Sequence, residues 1–274
     1  MIDMYVSAGT AIRANVIAIF SLVLLAAAGN VCAALDTADF AKCGEGGSTC
    51  SFTASFNGQT LGTGSYDIGP DGELQLIAGA SFTAKDGSYL KVGDISGNAD
   101  PSLLFSGSAH AGPNGGAFVI AFQLPIDLSG PVYAASSIGY SLTAGSAEAG
   151  ALIKPLFGAG YKILQGYEVD TDGPLPPFSK GVDAGDAFAI TPEPGNTLPR
   201  TLQSPTYTRT NSFITSSAYD NMTAVVAFSL SRNSTVGFSG SLTQIPVPEP
   251  SIYAVLAVGV GFLGFVARRR VGAI

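Results

Sequence analysis

The chain has 274 residues, a net charge of −7 and only 12% charged residues, against about 25% in an average soluble domain. Binding to a nucleic acid depends on neutralising phosphates, so this acidic composition excludes nucleic acid as an expected partner.

The N-terminal segment has the order of a secretory signal peptide. Arg13 precedes an apolar run over residues 14–28, and small residues follow up to Ala33 and Ala34. Cleavage after Ala33 or Ala34 by signal peptidase would remove residues 1–34. We therefore predict an exported protein with a body over residues 35–245.

Two cysteines, Cys43 and Cys50, remain after this cleavage, with the flexible Gly-rich segment 44–49 between them. An even cysteine count outside the cytoplasm favours a disulfide. A metal site would need more ligands than two thiolates, and the single histidine, His110, is far away in the sequence. We predict a Cys43–Cys50 disulfide and no metal at this pair.

The body has the period-two pattern of β-strands. Residues 51–56 alternate apolar and hydroxyl side chains, and Asn57-Gly58 then predicts a two-residue hairpin. Further strands are predicted at 73–78, 81–84, 89–92, 117–124, 132–143 and 162–169, and a closing pair at 224–230 and 235–243. Residues 144–152 alone suggest a short helix. The fold class is predicted to be all-β, an antiparallel β-sandwich.

Residues 171–205 contain seven prolines, and only 187–190 is a plausible strand among them. Proline cannot donate to a β-ladder, so the segment is predicted to be a long loop or a linker between two β subdomains.

Catalytic signals are weak. The sequence lacks the Gly-x-Ser-x-Gly elbow that a triad using His110 would favour. Asp170, Asp172, Asp183 and Asp186 lie in short acidic, Gly-containing segments that suit calcium, but the same residues are typical of solvated turns. Carboxylate pairs for glycoside cleavage could be drawn from them too. We expect no catalytic residue and no cofactor.

The C-terminal segment has three parts in a fixed order. Val247, Pro248, Glu249 and Pro250 precede an uncharged apolar run over residues 251–267, and Arg268, Arg269 and Arg270 follow it. The run is long enough, as a helix, to approach the thickness of a bilayer. The arginines favour the cytoplasmic side, which would place the body outside the cytoplasm.

This tail, residues 246–274, resembles the PEP-CTERM sorting signal of exported proteins in Gram-negative bacteria. The resemblance implies cleavage near the motif by an exosortase, a membrane-embedded thiol peptidase, and release from the inner membrane to the cell surface or the exopolysaccharide matrix. A plain membrane anchor with a Pro-rich stalk is the alternative. Pro192-Glu193-Pro194 repeats the tripeptide, but no apolar run follows it, so we interpret it as part of a loop.

The sequence therefore predicts a non-catalytic surface or matrix protein. The alternatives are a lectin-like module that binds exopolysaccharide, favoured by aromatic side chains clustered on one exposed sheet face, and an extracellular glycan hydrolase or lyase, favoured by a cleft where carboxylates converge with His110.

Overall fold

The computed structural model describes residues 49–247, apart from 70–72, 77–79, 99–100, 127, 129, 159, 170–178, 181 and 216–220, and it also describes residue 258. The predicted signal peptide, Cys43, Asp170, Asp172 and the tail from Pro248 through Arg268, Arg269 and Arg270, Val258 apart, lie outside the described residues.

The described part of the body is one antiparallel sheet of sixteen strands. The strands are β1 Thr49–Phe56, β2 Gln59–Ile68, β3 Glu73–Leu76, β4 Ala80–Thr83, β5 Tyr89–Asn98, β6 Ser102–Ala111, β7 Gly116–Pro125, β8 Gly130–Ala144, β9 Ala151–Pro155, β10 Leu164–Val169, β11 Ser179–Lys180, β12 Phe188–Ile190, β13 Arg200–Gln203, β14 Tyr207–Thr215, β15 Asn221–Leu230 and β16 Ser234–Pro246. The predicted all-β, antiparallel class is confirmed.

The sheet folds over on itself to form two layers. Its strand order is β11-β10-β15-β7-β1-β2-β3-β5-β6-β16-β8-β13, with β14 also on β8. Strands far apart in this order nevertheless touch through their side chains. Phe105 of β6 stacks on Phe122 of β7 with ring centroids 5.0 Å apart. We call β10, β15, β7, β1 and β2 the first layer, and β5, β6, β16, β8 and β14 the second layer.

Aromatic rings and aliphatic side chains from both layers form the core between them. Phe52, Phe118, Phe122 and Phe228 are each no more than 1% exposed. Glycine opposite an aromatic residue makes this packing feasible, since a Cβ on Gly64 would lie only 2.2 Å from the Phe52 ring. At this position glycine is needed because a side chain would overlap the Phe52 ring.

The predicted hairpin at Asn57-Gly58 is confirmed. Phe56 of β1 pairs with Gln59 of β2, and both turn residues have positive φ, 49° at Asn57 and 76° at Gly58. Positive φ at both central positions defines the type I′ turn, whose twist matches that of the flanking strands.

The closing pair predicted at 224–230 and 235–243 is wrong as a pair, although both segments are strands. β15 pairs with β7, β9 and β10, and β16 pairs with β6 and β8. The turn between them therefore crosses from the first layer to the second, and Phe228 meets Phe238 across the core at 6.0 Å. Alternation specifies which face of a strand is buried, and it does not specify the neighbouring strand.

The short helix predicted at 144–152 is also wrong. β8 continues to Ala144, residues 145–150 form turns, and β9 begins at Ala151. Gly145 N donates to Asn233 O at 3.0 Å, and Gly150 has a φ of 64°. Tertiary hydrogen bonding and positive φ override the local helical preference.

The sequence pattern does not predict β6, β13 or β14 as strands. β13 lies inside the Pro-rich segment and pairs with the end of β8, while β14 pairs with the first half of the same strand. Most positions of β14 are exposed, so its sequence lacks the apolar alternation that marks a half-buried strand.

Candidate ligand-binding face and C-terminal exit

Serine and threonine make up most of the outer face of the second layer, where Leu104 in the middle and Tyr133 and Ile245 at one end are apolar exceptions. Along β8 the even-numbered side chains are buried and the odd-numbered ones point outward. The strand register places outward residues of β6 and β16 beside those of β8. We call the resulting surface the hydroxyl face, made of Ser102, Ser106, Ser108, Ser137, Ser141, Thr143, Thr235, Ser239, Ser241 and Thr243.

Several of these hydroxyls bond to one another across neighbouring strands. Ser137 Oγ lies 2.9 Å from Ser241 Oγ, and Thr143 Oγ1 lies 2.8 Å from Thr201 Oγ1 of β13. A hydroxyl both donates and accepts, so such pairs can exchange a protein partner for a hydroxyl of a ligand or water. The face is neutral and suited to neutral polyhydroxy compounds.

His110 lies at one edge of the hydroxyl face. Its Nδ1 is 3.0 Å from Thr235 Oγ1, and its ring stacks on Tyr89 of β5 with centroids 5.4 Å apart. Lys91 Nζ lies 5.0 Å from the centre of the Tyr89 ring. Among the described residues no carboxylate hydrogen-bonds to His110, so the arrangement that orients a catalytic histidine is not formed there.

An open groove of about 510 Å³ adjoins this edge. Lys91, Gly93, Ser106 and Ser108 contribute to its lining, together with Ala80 and Ser81 of β4. A β-bulge between Val92 and Asp94 interrupts the pairing of β5 with β6 and forms part of the groove. Bulges redirect side chains at sheet edges, and here the result is a recess with a mixed polar and apolar lining, whose Lys91 lies over the Tyr89 ring.

The structure describes two of the four aspartates considered for calcium. Asp183 Oδ1 accepts from Gly166 N at 3.3 Å, and Asp186 forms an ion pair with Lys162. Across the described ranges, no three His, Cys, Asp or Glu side chains are grouped in a way that could hold a metal. Calcium binding that involves Asp170 and Asp172 lies outside the described residues.

Cys50 is in β1 and is 1% exposed, in contact with the core. Its predicted partner Cys43 lies outside the described residues, so the Cys43–Cys50 disulfide stays a prediction.

The C-terminal segment leaves the body directly from a central strand. β16 ends at Pro246, and Val247 N donates to Pro131 O of β8 at 2.8 Å. Pro248, Glu249 and Pro250 follow immediately in the sequence. No helix in the part of the chain that the structure describes has the length and apolar character needed to cross a bilayer.

The second Pro-Glu-Pro, at 192–194, lies in a turn where its glutamate has a structural role. Glu193 forms an ion pair with Arg200, its Oε2 accepts from Asn196 Nδ2 at 3.0 Å, and its N donates to Ala147 O at 2.8 Å. These contacts give Glu193 a structural role in the turn, which is unrelated to sorting.

The hydroxyl face, Tyr89 and Lys91 are not among the functional residues that the sequence pattern predicts. A signal was present, because serine or threonine recurs at every second position over parts of 102–108, 137–143 and 235–243. Recognising it as one surface requires the pairing of β6, β16 and β8, which the sequence pattern does not supply.

Comparison with solved structures returns distant resemblances. Two cleaved adhesin domains of Lys-gingipain from Porphyromonas gingivalis align at 12% and 11% identity, covering 51% and 62% of this chain and 74% and 92% of theirs, with TM-scores of 0.26 and 0.28. A tailspike protein domain of bacteriophage CBA120 aligns at 10% identity over 52% of this chain and 16% of its own, with a TM-score of 0.23. TM-scores this low support no conclusion about fold or function.

No curated protein sequence matches the chain significantly. A family model described as the PEP-CTERM protein-sorting motif matches residues 246–270. The matched range begins at Pro246, the last residue of β16, and includes the motif, the apolar run and the arginine cluster. The C-terminal tail of this chain is a PEP-CTERM sorting signal, which indicates an exported protein that an exosortase processes.

Proposed function

We propose that this chain is a non-catalytic protein of the cell surface or exopolysaccharide matrix of a Gram-negative bacterium. Signal peptidase removes residues 1–34, the helix over 251–267 anchors the precursor in the inner membrane, and an exosortase cleaves near Pro248-Glu249-Pro250. The observation that carries this proposal is the sorting-motif match at 246–270, placed directly after the last strand of a β-rich body.

The absence of catalysis is supported by the surroundings of His110 and of the described carboxylates. His110 bonds to a threonine hydroxyl and stacks on a tyrosine, and Asp186 is neutralised by Lys162. A hydrolytic site needs a base, a nucleophile and an orienting group within hydrogen-bond reach of one another. We expect purified body to hydrolyse no polysaccharide, and turnover that disappears in Asp183→Ala or Asp170→Ala would contradict this.

The sorting proposal is tested by replacing Pro248, Glu249 and Pro250 with alanine. The protein should still be exported, but it should stay in the inner membrane at precursor length, because the helix and the arginines remain. Fractionation of the host and detection with an antibody against the body measures this.

A matched control changes the second tripeptide without breaking its ion pair. Pro192→Ala with Pro194→Ala leaves Glu193 bound to Arg200 and should be processed normally. Unchanged release of the variant with alanine at 248–250 would instead identify a plain anchored protein whose stalk plays no part in sorting.

A polysaccharide-binding body is the second candidate function, and one specific observation favours it. Tyr89, His110 and Lys91 lie together, next to the open groove at the edge of the hydroxyl face that Lys91 helps to line. Sugars bind to proteins by placing their apolar faces on aromatic rings while their hydroxyls exchange hydrogen bonds.

Tyr89→Ala should therefore reduce retention of the body on the exopolysaccharide of its host. Tyr161→Ala is a matched control, because Tyr161 is 36% exposed and lies against Phe157, away from the hydroxyl face. Equal retention of both variants and the unaltered protein would exclude this surface as the binding site.

A further inference from the structure

Exposed apolar side chains cluster where the C-terminal tail leaves the body. Tyr133 is 40% exposed, Ile214 81%, Ile245 53% and Val247 43%. Ile245 of β16 is the register partner of Tyr133 of β8, and Ile214 of β14 is the partner of Pro131, whose carbonyl binds Val247 N. We call these four side chains the apolar end.

The four residues share one face of the second layer. Val132, Ala134 and Gln244 are buried, so their strand neighbours Tyr133 and Ile245 point outward by alternation. Ile214 lies on the same face because its register partner is Pro131, two residues before Tyr133. Val247, two residues after Ile245, continues the ladder through its hydrogen bond to Pro131 O. The next outward row consists of Thr210, Ala135 and Thr243, which carry no charge. The apolar end is therefore a neutral patch that no described part of the chain covers.

The length of chain after Val247 limits how far this patch can be from the membrane. Four Cα steps connect Val247 to Ser251, where the apolar run begins, and an extended chain covers at most about 14 Å in four steps. Pro248 and Pro250 restrict the backbone and leave little freedom to turn back. When the run is in the bilayer, Val247 therefore lies within about 14 Å of the hydrocarbon boundary, which keeps the apolar end close to the headgroup region.

We propose that the apolar end docks on the outer surface of the membrane that holds the precursor, with Tyr133, Ile214, Ile245 and Val247 in the interfacial region of the lipid. This proposal rests on the membrane anchoring in the proposed function and adds a contact between the folded body and lipid. Tyrosine is suited to such an interface because its ring is apolar and its hydroxyl remains hydrated.

Docking would also fix the orientation in which the precursor meets the peptidase. A tethered body could otherwise rotate about the short segment 248–250, whereas a docked body holds β16 in one orientation relative to the bilayer. The Pro-Glu-Pro segment is then presented to the membrane peptidase in one geometry. After cleavage only the weak lipid contact of four side chains remains, and the body can leave.

The test uses the full-length precursor, produced without an exosortase and reconstituted into vesicles of phosphatidylcholine and phosphatidylglycerol. The chain has no tryptophan, so Tyr133→Trp introduces a single fluorescent indole. The vesicles contain acyl chains brominated near the headgroup, and bromine quenches an indole only on close approach. We expect strong quenching of the indole at position 133, relative to vesicles without bromine.

Leu198→Trp is the matched control. Leu198 is 71% exposed, and its carbonyl accepts from Ala147 N just beyond the other end of β8, roughly 35 Å along the strand from Tyr133. Its indole should not be quenched. Adding Ile214→Ser and Ile245→Ser to Tyr133→Trp should remove most of the quenching without changing the circular dichroism spectrum, because both side chains are exposed.

The outcomes separate this proposal from the one on which it rests. A precursor that an alkaline wash removes from the vesicles would overturn the membrane anchor itself. A precursor that stays bound, with an unquenched indole at position 133, would overturn the docking alone. An unquenched indole whose emission changes with protein concentration would also overturn docking and would assign the apolar end to contact between two copies.

Discussion

The two layers of the body differ in what covers their outer faces. In the first layer, Val119, Ala121 and Ala227 point outward, are at most 3% exposed, and pack under Leu156 and Phe157. In the second layer the corresponding outer surface is the hydroxyl face, which is open. The centre of the first layer, β7 and β15, is thus buried on both sides, while the second layer has a long polar surface on which a ligand could lie.

This difference is visible in the strand sequences. Residues 117–122 of β7 are apolar at every position, as expected for a strand buried on both faces. Residues 138–143 of β8 and 235–239 of β16 instead alternate apolar side chains with serine, threonine or glycine. A body that binds polysaccharide would therefore bind it on the second layer.

The largest expected effect comes from placing a charge on each outer face. Ala227→Asp puts an unpaired carboxylate in a position that is 0% exposed and should lower the free energy of unfolding by about 3 kcal/mol or more. Ser239→Asp, on the open face, should change it by less than about 0.5 kcal/mol. Guanidinium unfolding of the mature body measures both, and equal effects would contradict the contrast between the faces.

High pH should destabilise the body through its buried tyrosines. Burial raises the pKa of Tyr66 in the first layer and of Tyr140 in the second far above the ordinary value. The unfolded chain then loses these protons at lower pH than the folded one, so stability is present below pH ~10 and falls as pH rises above it, by up to ~1.4 kcal/mol per pH unit for each tyrosine.

Unfolding measured between neutral pH and pH ~11 tests this linkage. A double Tyr66→Phe, Tyr140→Phe variant should lose most of the slope, and a slope that persists in it would assign the effect to other groups.

A smaller difference is expected between the same two tyrosines at neutral pH. The Tyr66 hydroxyl donates to Gln123 O, whereas the Tyr140 hydroxyl is buried without a hydrogen-bond partner among the described residues. Tyr66→Phe should therefore destabilise the body by about 1–2 kcal/mol, and Tyr140→Phe should be close to neutral. The reverse order of midpoints in thermal unfolding would refute this account.

The smallest effect is expected on the hydroxyl face. Ser137 and Ser241 are half-exposed and bond to each other, so Ser137→Ala should cost no more than about 0.5 kcal/mol, because water replaces the lost partner. A double-mutant cycle with Ser241→Ala measures the coupling, and a value well above 1 kcal/mol would mean that the face is a rigid network.

The sequence predicts features that depend on residues close together in the chain better than features that depend on distant strands. Most of the strands, the Asn57-Gly58 turn and the sorting signal depend on neighbouring residues, and the sequence shows them directly. The crossing of β15 to β16 between layers depends on distant partners, and so does the hydroxyl face, whose side chains come from three strands. β14 was missed because an exposed edge strand needs no apolar pattern.

The central claim is that the body is released by cleavage at its C-terminal exit, and intact-mass analysis of protein from the culture medium or matrix tests it most directly. The account predicts a chain that begins at Ala34 or Leu35 and ends close to Val247–Pro250, with the mass of a form in which Cys43 and Cys50 are joined. Recovery only of membrane-bound protein that retains residues 251–274 would contradict it.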